Sequence, residues 1–396
     1  MHMLLRTARW LVIGATLLYC IGIIALAAVW TIDSQRTWWL ELSNVFAIVL
    51  FLPLVLLIPA ALVVRSPWMW GAVGLALAIF LALFGARFLP PAAPPSDGAP
   101  LRVMTFNQLF TNERAADIIA AIRTQNADVI GLQEFSEPVA AAIQKELSAE
   151  YPFQLLDPGN QSGLGLISRY PFQTAGRSDN IRGQRVTIRI GDQSVTIISL
   201  HLSAPYIEAH RSRRLWSLPL VTGYDSSAPT RQLGRLVQEV DQISGPLIVI
   251  GDFNTGDREP RYAQLAARMH DAFRETNWGF GFTFPDHKRF GPVSLPFPLV
   301  RVDYVWSKGG VLPAAAHVEC NNTGAITVFW SRICGSLNPE AVERRRQRNA
   351  RRTDEGRRRQ RSGDRALHAI SLSLPPLPYP SAVPRSKRVK GGGPPW

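Results

Sequence analysis

The chain opens with three long apolar stretches and then changes its pattern. Trp10–Trp30 carries no charge, a second uncharged stretch lies between Glu41 and Arg65, and a third runs from Ser66 to Ala86. Each has about the 20 residues that an α-helix needs to cross a hydrocarbon core. They predict a membrane anchor over residues 1–88, with spans at about 10–30, 44–64 and 67–87. A cleaved signal peptide would account for the first stretch alone, but two more follow it. Pro53 and Pro59 fall inside the second stretch, where a membrane helix tolerates them. Only Arg65-Ser66-Pro67 separates the second and third spans, which therefore form a hairpin. Arg6, Arg9 and Arg65 fall on one side and Arg36 and Arg87 on the other. That balance puts the N-terminus in the cytoplasm and the chain after the third span outside it. The Pro-rich segment 89–100 reads as a stiff, extended spacer.

From residue 101 the apolar runs shorten and alternate with helical spacing. LRVMTFN is a strand ending at Asn107, Ala115–Arg123 has helical periodicity, and DVIGLQEF is a buried strand ending in Gln133-Glu134. SGLGLISRYPF is a strand bounded by Gly and Pro, while QRVTIRI and SVTIISLHLSAP form a hairpin across Gly191-Asp192. TRQLGRLVQEVDQI is an amphipathic helix, and PLIVIGDFNT is a buried strand ending in Asp252 and Asn254. GFTFP and VRVDYVWS close the series. Strands alternating with helices, with polar residues at strand ends, specify an α/β body over residues 101–324 with a site at one rim of its sheets.

Singly the polar motifs are modest. A Gln-Glu after a strand is ordinarily a solvated strand end, and GDFN makes an ordinary turn. Their order is specific: TFN, LQE, LISRYP, HLSAP, GDFNT, VRVDYVWS. In that order they resemble the endonuclease/exonuclease/phosphatase superfamily, which includes pancreatic deoxyribonucleases, apurinic endonucleases, inositol polyphosphate 5-phosphatases and neutral sphingomyelinases. The resemblance implies a four-layered α/β sandwich of two packed sheets flanked by helices. It also implies phosphoester hydrolysis with Mg2+, or Mn2+ in its place. Glu134 then matches the metal ligand, with Asn107 beside the metal and the phosphate. His201 matches the histidine that contacts the scissile phosphate and is the candidate acid toward the leaving group. Asp252 matches the aspartate that orients or deprotonates the attacking water, and Asn254 the phosphate-binding asparagine. Asp303 looks like the acid that supports them from behind. A hard cation prefers carboxylate oxygen, which these residue types supply.

Charge changes the picture of the substrate. The net charge is +13, but 16 of the 43 Lys+Arg and only five of the 30 Asp+Glu fall in residues 325–396. The first 324 residues hold 27 basic and 25 acidic side chains, without the basic footprint of a dedicated duplex-DNA binder. Lipid headgroup and nucleic acid both stay open as substrates, the membrane is the expected partner, and no protein partner is called for. The segment 204–229 reads as a surface loop with a helical turn. Trp216 and Leu218 within it are candidates for reaching lipid headgroups. His210, His270, His287 and His317 match no motif, and three cysteines (Cys20, Cys320, Cys334) offer no internal disulfide framework.

The resemblance fails at one place. The superfamily ends in Ser-Asp-His followed by an apolar strand, and no Asp-His pair follows Tyr304. Residues 325–396 read instead as a basic, Pro-rich tail whose low apolar periodicity predicts disorder. A reading-frame slip accounts for it. Inserting one base before the codons of Ala325–Ser336 regroups them so that Ser-Asp-His-Arg-Leu-Leu-Val-Ala-Asp-Leu-Arg-Val becomes a permitted reading, with the Leu-Val pair forced. The rival is a genuine basic tail for anionic lipid or nucleic acid. Two functions follow: a membrane-tethered hydrolase impaired in this chain, or a membrane-anchored binding protein that keeps the fold without the catalysis.

Overall fold

Most central strands of the body bury both faces, and this is what stacks its layers. The computed structural model describes residues 2–89, 91, 97–178, 181–211, 219–285, 289–290, 293–294, 297–321 and 324–333. The N-terminal part comprises α1 (His2–Asp33), α2 (Trp38–Val45), α3 (Leu54–Val64) and α4 (Pro67–Phe84). Three helical stretches there, Met3–Asp33, Ala47–Val64 and Pro67–Phe88, are long and apolar enough to cross a membrane by length and composition. Two features differ from the sequence reading. The short helix α2 precedes the second span. That span itself begins as a 3-10 turn, Ala47–Phe51, before α3. Pro53 has no N–H and cannot continue the turn, and the Leu50 carbonyl accepts from the Tyr19 hydroxyl at 2.7 Å. Arg65 caps α3 in the left-handed region (φ 51°), which lets the chain reverse at once into α4.

The body follows as β1 (Ala99–Asn107), α5 (Ala115–Gln125), β2 (Val129–Gln133), α6 (Glu137–Leu147), β3 (Phe153–Asp157), β4 (Leu164–Ser168), β5 (Phe172–Arg177), β6 (Gly183–Ile190) and β7 (Gln193–His201). It continues as β8 (Tyr206–Arg211), β9 (Pro219–Asp225), α7 (Ser227–Gln242), β10 (Leu247–Asp252), α8 (Pro260–Ala266), β11 (His270–Asp271) and α9 (Ala272–Thr276). The last described elements are β12 (Arg289–Phe290), β13 (Val293–Ser294), β14 (Asp303–Lys308), β15 (Val311–Asn321) and β16 (Gly324–Ile333). One sheet has the order β15-β16-β1-β2-β4-β3 and the other β11-β14-β10-β7-β6-β5. Val103, Val129, Ile197 and Ile250 meet between the sheets. The alternate residues of the same strands pack outward. Met104 and Ile130 meet Ile118 and Ile143 of α5 and α6, and Ile198 and Val249 meet Leu233 and Leu236 of α7. The result is the expected four-layered α/β sandwich, and it explains the unbroken apolar runs, which serve two cores at once.

The two sheets approach each other closely just below one rim. A Cβ on Gly131 would lie 2.5 Å from Ser199 Oγ and 2.7 Å from Ile250 Cδ1, so both side chains would have to shift to admit it. Thr105, Gln133 and Ser199 form a buried polar layer there. The Thr105 hydroxyl donates to Gln133 Oε1 at 3.0 Å, and Gln133 Nε2 donates to Ser199 Oγ at 3.5 Å.

Two readings of the sequence need correction. Residues 206–211 and 219–225 pair as two antiparallel strands, β8 and β9, where a surface loop was expected. Aromatic and β-branched residues along them (Tyr206, Ile207, Val221, Thr222, Tyr224) favour a pleated strand. Trp216 and Leu218, like His287, lie outside the described residues. The body also runs past Gly324, where the tail was expected to start. β16 pairs antiparallel with β1 from Asn107↔Ala325 to Ala99↔Ile333, and with β15 on its other side. Ile-Thr-Val-Phe-Trp is itself strand-forming, and without β16 the edge of β1 would be left with unpaired N–H and C=O groups. Phe329 is fully buried between the sheets, and the Ser331 hydroxyl donates to Leu101 O. Residues 334–396, most of the expected tail, lie outside the described residues.

Candidate active site

The register of the two sheets gathers the polar strand ends. In one sheet Asp252 of β10 sits opposite His201 of β7 on one side and Asp303 of β14 on the other. In the other sheet Asn107 of β1 sits opposite Gln133 of β2, the residue before Glu134, and opposite Ala325 of β16. Two turns turn these ends inward. Glu134 (φ 57°) and Asn254 (φ 46°) hold left-handed conformations, uncommon for such residues and frequent where a site stores backbone strain. Gly251, just before Asp252, has φ 145°, and a Cβ there would lie 2.0 Å from Leu200 O. No other residue lets β10 run this close to β7.

All six residues expected at the site line one cavity of about 430 Å3: Asn107, Glu134, His201, Asp252, Asn254 and Asp303. Asn107 Nδ2 donates to Asp252 Oδ2 at 3.0 Å and to Glu134 Oε1 at 3.3 Å, and its Oδ1 accepts the Leu109 N–H. It thus bridges the two carboxylates as a donor. His201 Nε2 lies 3.7 Å from Glu134 Oε1 and 3.8 Å from Asp252 Oδ2, while its buried Nδ1 has no hydrogen-bond partner among the described residues. Glu134, His201 and Asp252 each offer one ligand atom, and these atoms lie within 4.8 Å of one another. Asn254 donates its backbone N–H to Asp252 Oδ1 at 2.8 Å and its side-chain Nδ2 to Leu202 O at 2.8 Å.

Two groups of the cavity wall carried no signal in the sequence. The Thr283 hydroxyl accepts the backbone N–H groups of Val302 (3.0 Å) and Asp303 (3.2 Å), fixing the start of β14. Arg182 brings a guanidinium to the cavity, and its buried Nη2 has no partner among the described residues. Arg182 falls in no motif, and GFTFP reads as a strand with no role for Thr283. Of the unassigned histidines, His210 pairs with Thr222, His270 with Glu275 and His317 with Gln125, and none of these three lines the cavity.

Electrostatics favour a cation here. Burial raises the Asp252 carboxyl above its ordinary value, with His201 pulling it partly back. Asp303 is raised well above the usual 3.8, first by burial and then by the charge of Asp252. Clustered carboxylates held above their normal range mark a place where positive charge is wanted. The donor set, two carboxylates and an imidazole with unsatisfied atoms around them, fits a divalent cation. Without a cation the folded chain keeps protons that the unfolded chain has lost. Stability therefore falls as pH rises from the ordinary carboxylate value through the folded-state values. In chelator, the unfolding temperature should be higher at about pH 5 than at about pH 8, and Asp303→Asn should flatten that slope. A stability that rises over this range would show that other groups dominate.

The sequence profile of the Endonuclease/Exonuclease/phosphatase family matches residues 104–324. The chain belongs to this family. Its members are hydrolases of phosphoester bonds and generally use a divalent metal. A search among curated proteins gave no significant match. Among solved structures, the chain is similar to the endonuclease/exonuclease/phosphatase from Bacteroides vulgatus. The two are 15% identical, with a TM-score of 0.45, covering 59% of this chain and 99% of that one. TDP2 from D. rerio, complexed with single-strand DNA product, is 14% identical with a TM-score of 0.45, covering 58% and 98%. Sphingomyelinase C from Streptomyces griseocarneus is 17% identical with a TM-score of 0.40, covering 59% and 99%. The family match stops at the residue before the three positions where Ser-Asp-His was expected.

Proposed function

We propose that this chain has the design of a membrane-tethered, divalent-metal-dependent phosphoester hydrolase whose last catalytic element is missing. The observation that carries this reading is the convergence of Glu134, His201 and Asp252 within 4.8 Å at one sheet rim. Glu134 and Asp252 would hold Mg2+, or Mn2+ in its place, with Asn107 steadying both carboxylates. The cation would neutralise charge on the phosphate's non-bridging oxygens. Asp252 orients the attacking water or takes its proton, and the water oxygen bonds to phosphorus as the ester oxygen leaves. His201 contacts the phosphate and supplies a proton to that leaving oxygen. Asn254 contacts the phosphate, while Asp303 supports Asp252 from behind. The three apolar helices would tether the body with the N-terminus in the cytoplasm and the site outside it. The near-neutral body leaves a lipid headgroup or a nucleic acid as the phosphoester.

A second reading has its own observation. Ala325, Ile326 and Thr327 stand opposite Asn107, Phe106 and Thr105, where the expected Ser-Asp-His would supply an acid and an imidazole. With none there, the chain binds metal and phosphate without turnover. The test is calorimetric titration of the full chain in detergent with Mn2+ and Mg2+, followed by hydrolysis of bis(4-nitrophenyl) phosphate with and without chelator. The expected result is saturable cation binding and weak, chelator-sensitive hydrolysis. Binding without hydrolysis selects the second reading, and no cation binding at all would sink both.

A further inference from the structure

The loop that leaves the site after Asp252 ends on the N-terminal helices. Asp257 forms an ion pair with Arg87, which follows α4, and each side chain is only 10% exposed. Arg258 Nε donates to Asn44 Oδ1 at 3.0 Å, and Asn44 Nδ2 donates back to Arg258 O at 3.0 Å. The Arg258 guanidinium lies 5.4 Å from the ring centre of Trp30 and 5.3 Å from that of Phe84. A second wall of the cavity rests on the same helices. Arg87 O accepts the Gly279 N–H at 2.7 Å, and the Phe280 ring meets Phe84 and Phe88 edge-on at 5.7 and 5.4 Å. Phe280 stacks on Phe282, the neighbour of Thr283. Both segments therefore touch the site at one end and residues 30–88 at the other.

These contacts are too polar and too buried to be mere surface adhesion. Asn44 is 3% exposed, and Arg87 and its partner are largely removed from water. Without Arg87, Asp257 keeps only Arg301 Nη2 at 3.9 Å, a cation already paired with Asp271 at 2.5 Å, so its buried charge is poorly compensated and the loop would have to move to solvate it. Moving the loop moves Asn254, whose N–H fixes Asp252 Oδ1.

We propose that Arg87 and Asn44 are positioning residues for the hydrolytic site, holding the 253–259 loop so that Asn254 keeps the Asp252 carboxylate oriented toward a divalent cation. The inference rests on the metal-site reading of Asp252. The body also grips this loop, through Phe253 N to Val302 O (2.9 Å), Asn254 Nδ2 to Leu202 O (2.8 Å), the Tyr304 hydroxyl to Thr255 O (2.8 Å) and Arg301 Nη2 beside Asp257 Oδ2 (3.9 Å). The rival is that these grips suffice.

The experiment uses the full chain in detergent and three readouts: Mn2+ affinity, hydrogen exchange at the Asn254 amide, and thermal unfolding. Arg87→Met should lower Mn2+ affinity about tenfold, the lower end of what residues behind metal ligands contribute. It should also speed exchange at Asn254, and Arg87→Lys should recover most of both. Asp257→Asn should match Arg87→Met, and the double variant should be no worse than the worse single. Asn44→Ala, which removes no charge, carries the same expectation and serves if Arg87→Met does not fold. Lower unfolding temperatures with unchanged Mn2+ affinity and unchanged Asn254 exchange would overturn the proposal. If the parent chain binds no Mn2+, the metal reading has failed, and Asn254 exchange alone decides the coupling.

Discussion

Replacing Ala325, Ile326 and Thr327 by Ser, Asp and His should raise metal-dependent phosphodiester hydrolysis about 10²–10⁴-fold, the range a positioned acid–base group contributes. The register makes the substitution local. β16 starts at the rim that carries the site, with Ala325 directly opposite Asn107, so the new acid and imidazole enter beside the existing cluster. The strand after them need not change. In the slipped frame the codon at position 329 has the form NTT, which encodes only Phe, Leu, Ile or Val. Phe329 is fully buried, and its position is apolar in both frames. Initial rates on bis(4-nitrophenyl) phosphate, with Mg2+ and with chelator, check the outcome. An unchanged rate would mean that the chain lacks something other than its terminal Asp-His.

Asp252→Asn should abolish stabilisation by divalent cations while leaving the cation-free chain no less stable at about pH 8. At a cation concentration of 100 Kd the parent gains about 2.7 kcal/mol, and the variant should gain none. The opposite effect arises from burial. The carboxylate stands among Glu134, His201 and Asp303, and desolvation is the largest influence on it. An amide of the same size removes that buried charge. It can accept from only one of its two donors, Asn107 Nδ2 and the Asn254 N–H, a loss of about 1 kcal/mol. Thermal unfolding with and without Mn2+ measures both halves. A variant that keeps the full cation-induced shift would remove Asp252 from the metal site.

The body was legible in the sequence because most central strands are apolar on both faces and the helices packed on them are apolar on one. Asn107, Glu134, His201, Asp252, Asn254 and Asp303 could be picked out because they stand at strand ends in a specific order, and register does the rest. What the chain hid falls into two kinds. Arg182 reaches the cavity from a segment without periodicity, and Thr283 from GFTFP, a short run that makes only the isolated bridge Phe284↔Val300, so tertiary placement decides both. Arg87 was hidden differently. In the sequence it is one basic flank of an apolar span and enters the topology count, whereas in the structure it is buried against Asp257. A count of flanking charge cannot separate a residue that faces lipid headgroups from one that belongs to the next domain. β16 was obscured because the missing motif drew a boundary that the strand pattern itself crosses.

β16 completes its sheet without supplying chemistry, and this bears on the chain's fate in a cell. Quality control recognises exposed apolar surface and unpaired strand edges, and here Phe329 is covered and β1 is paired on both sides. A lesion that erased the catalytic ending but kept a strand at β16 would therefore leave the sheet closed, and the body would not present the unpaired edge that marks a truncated product.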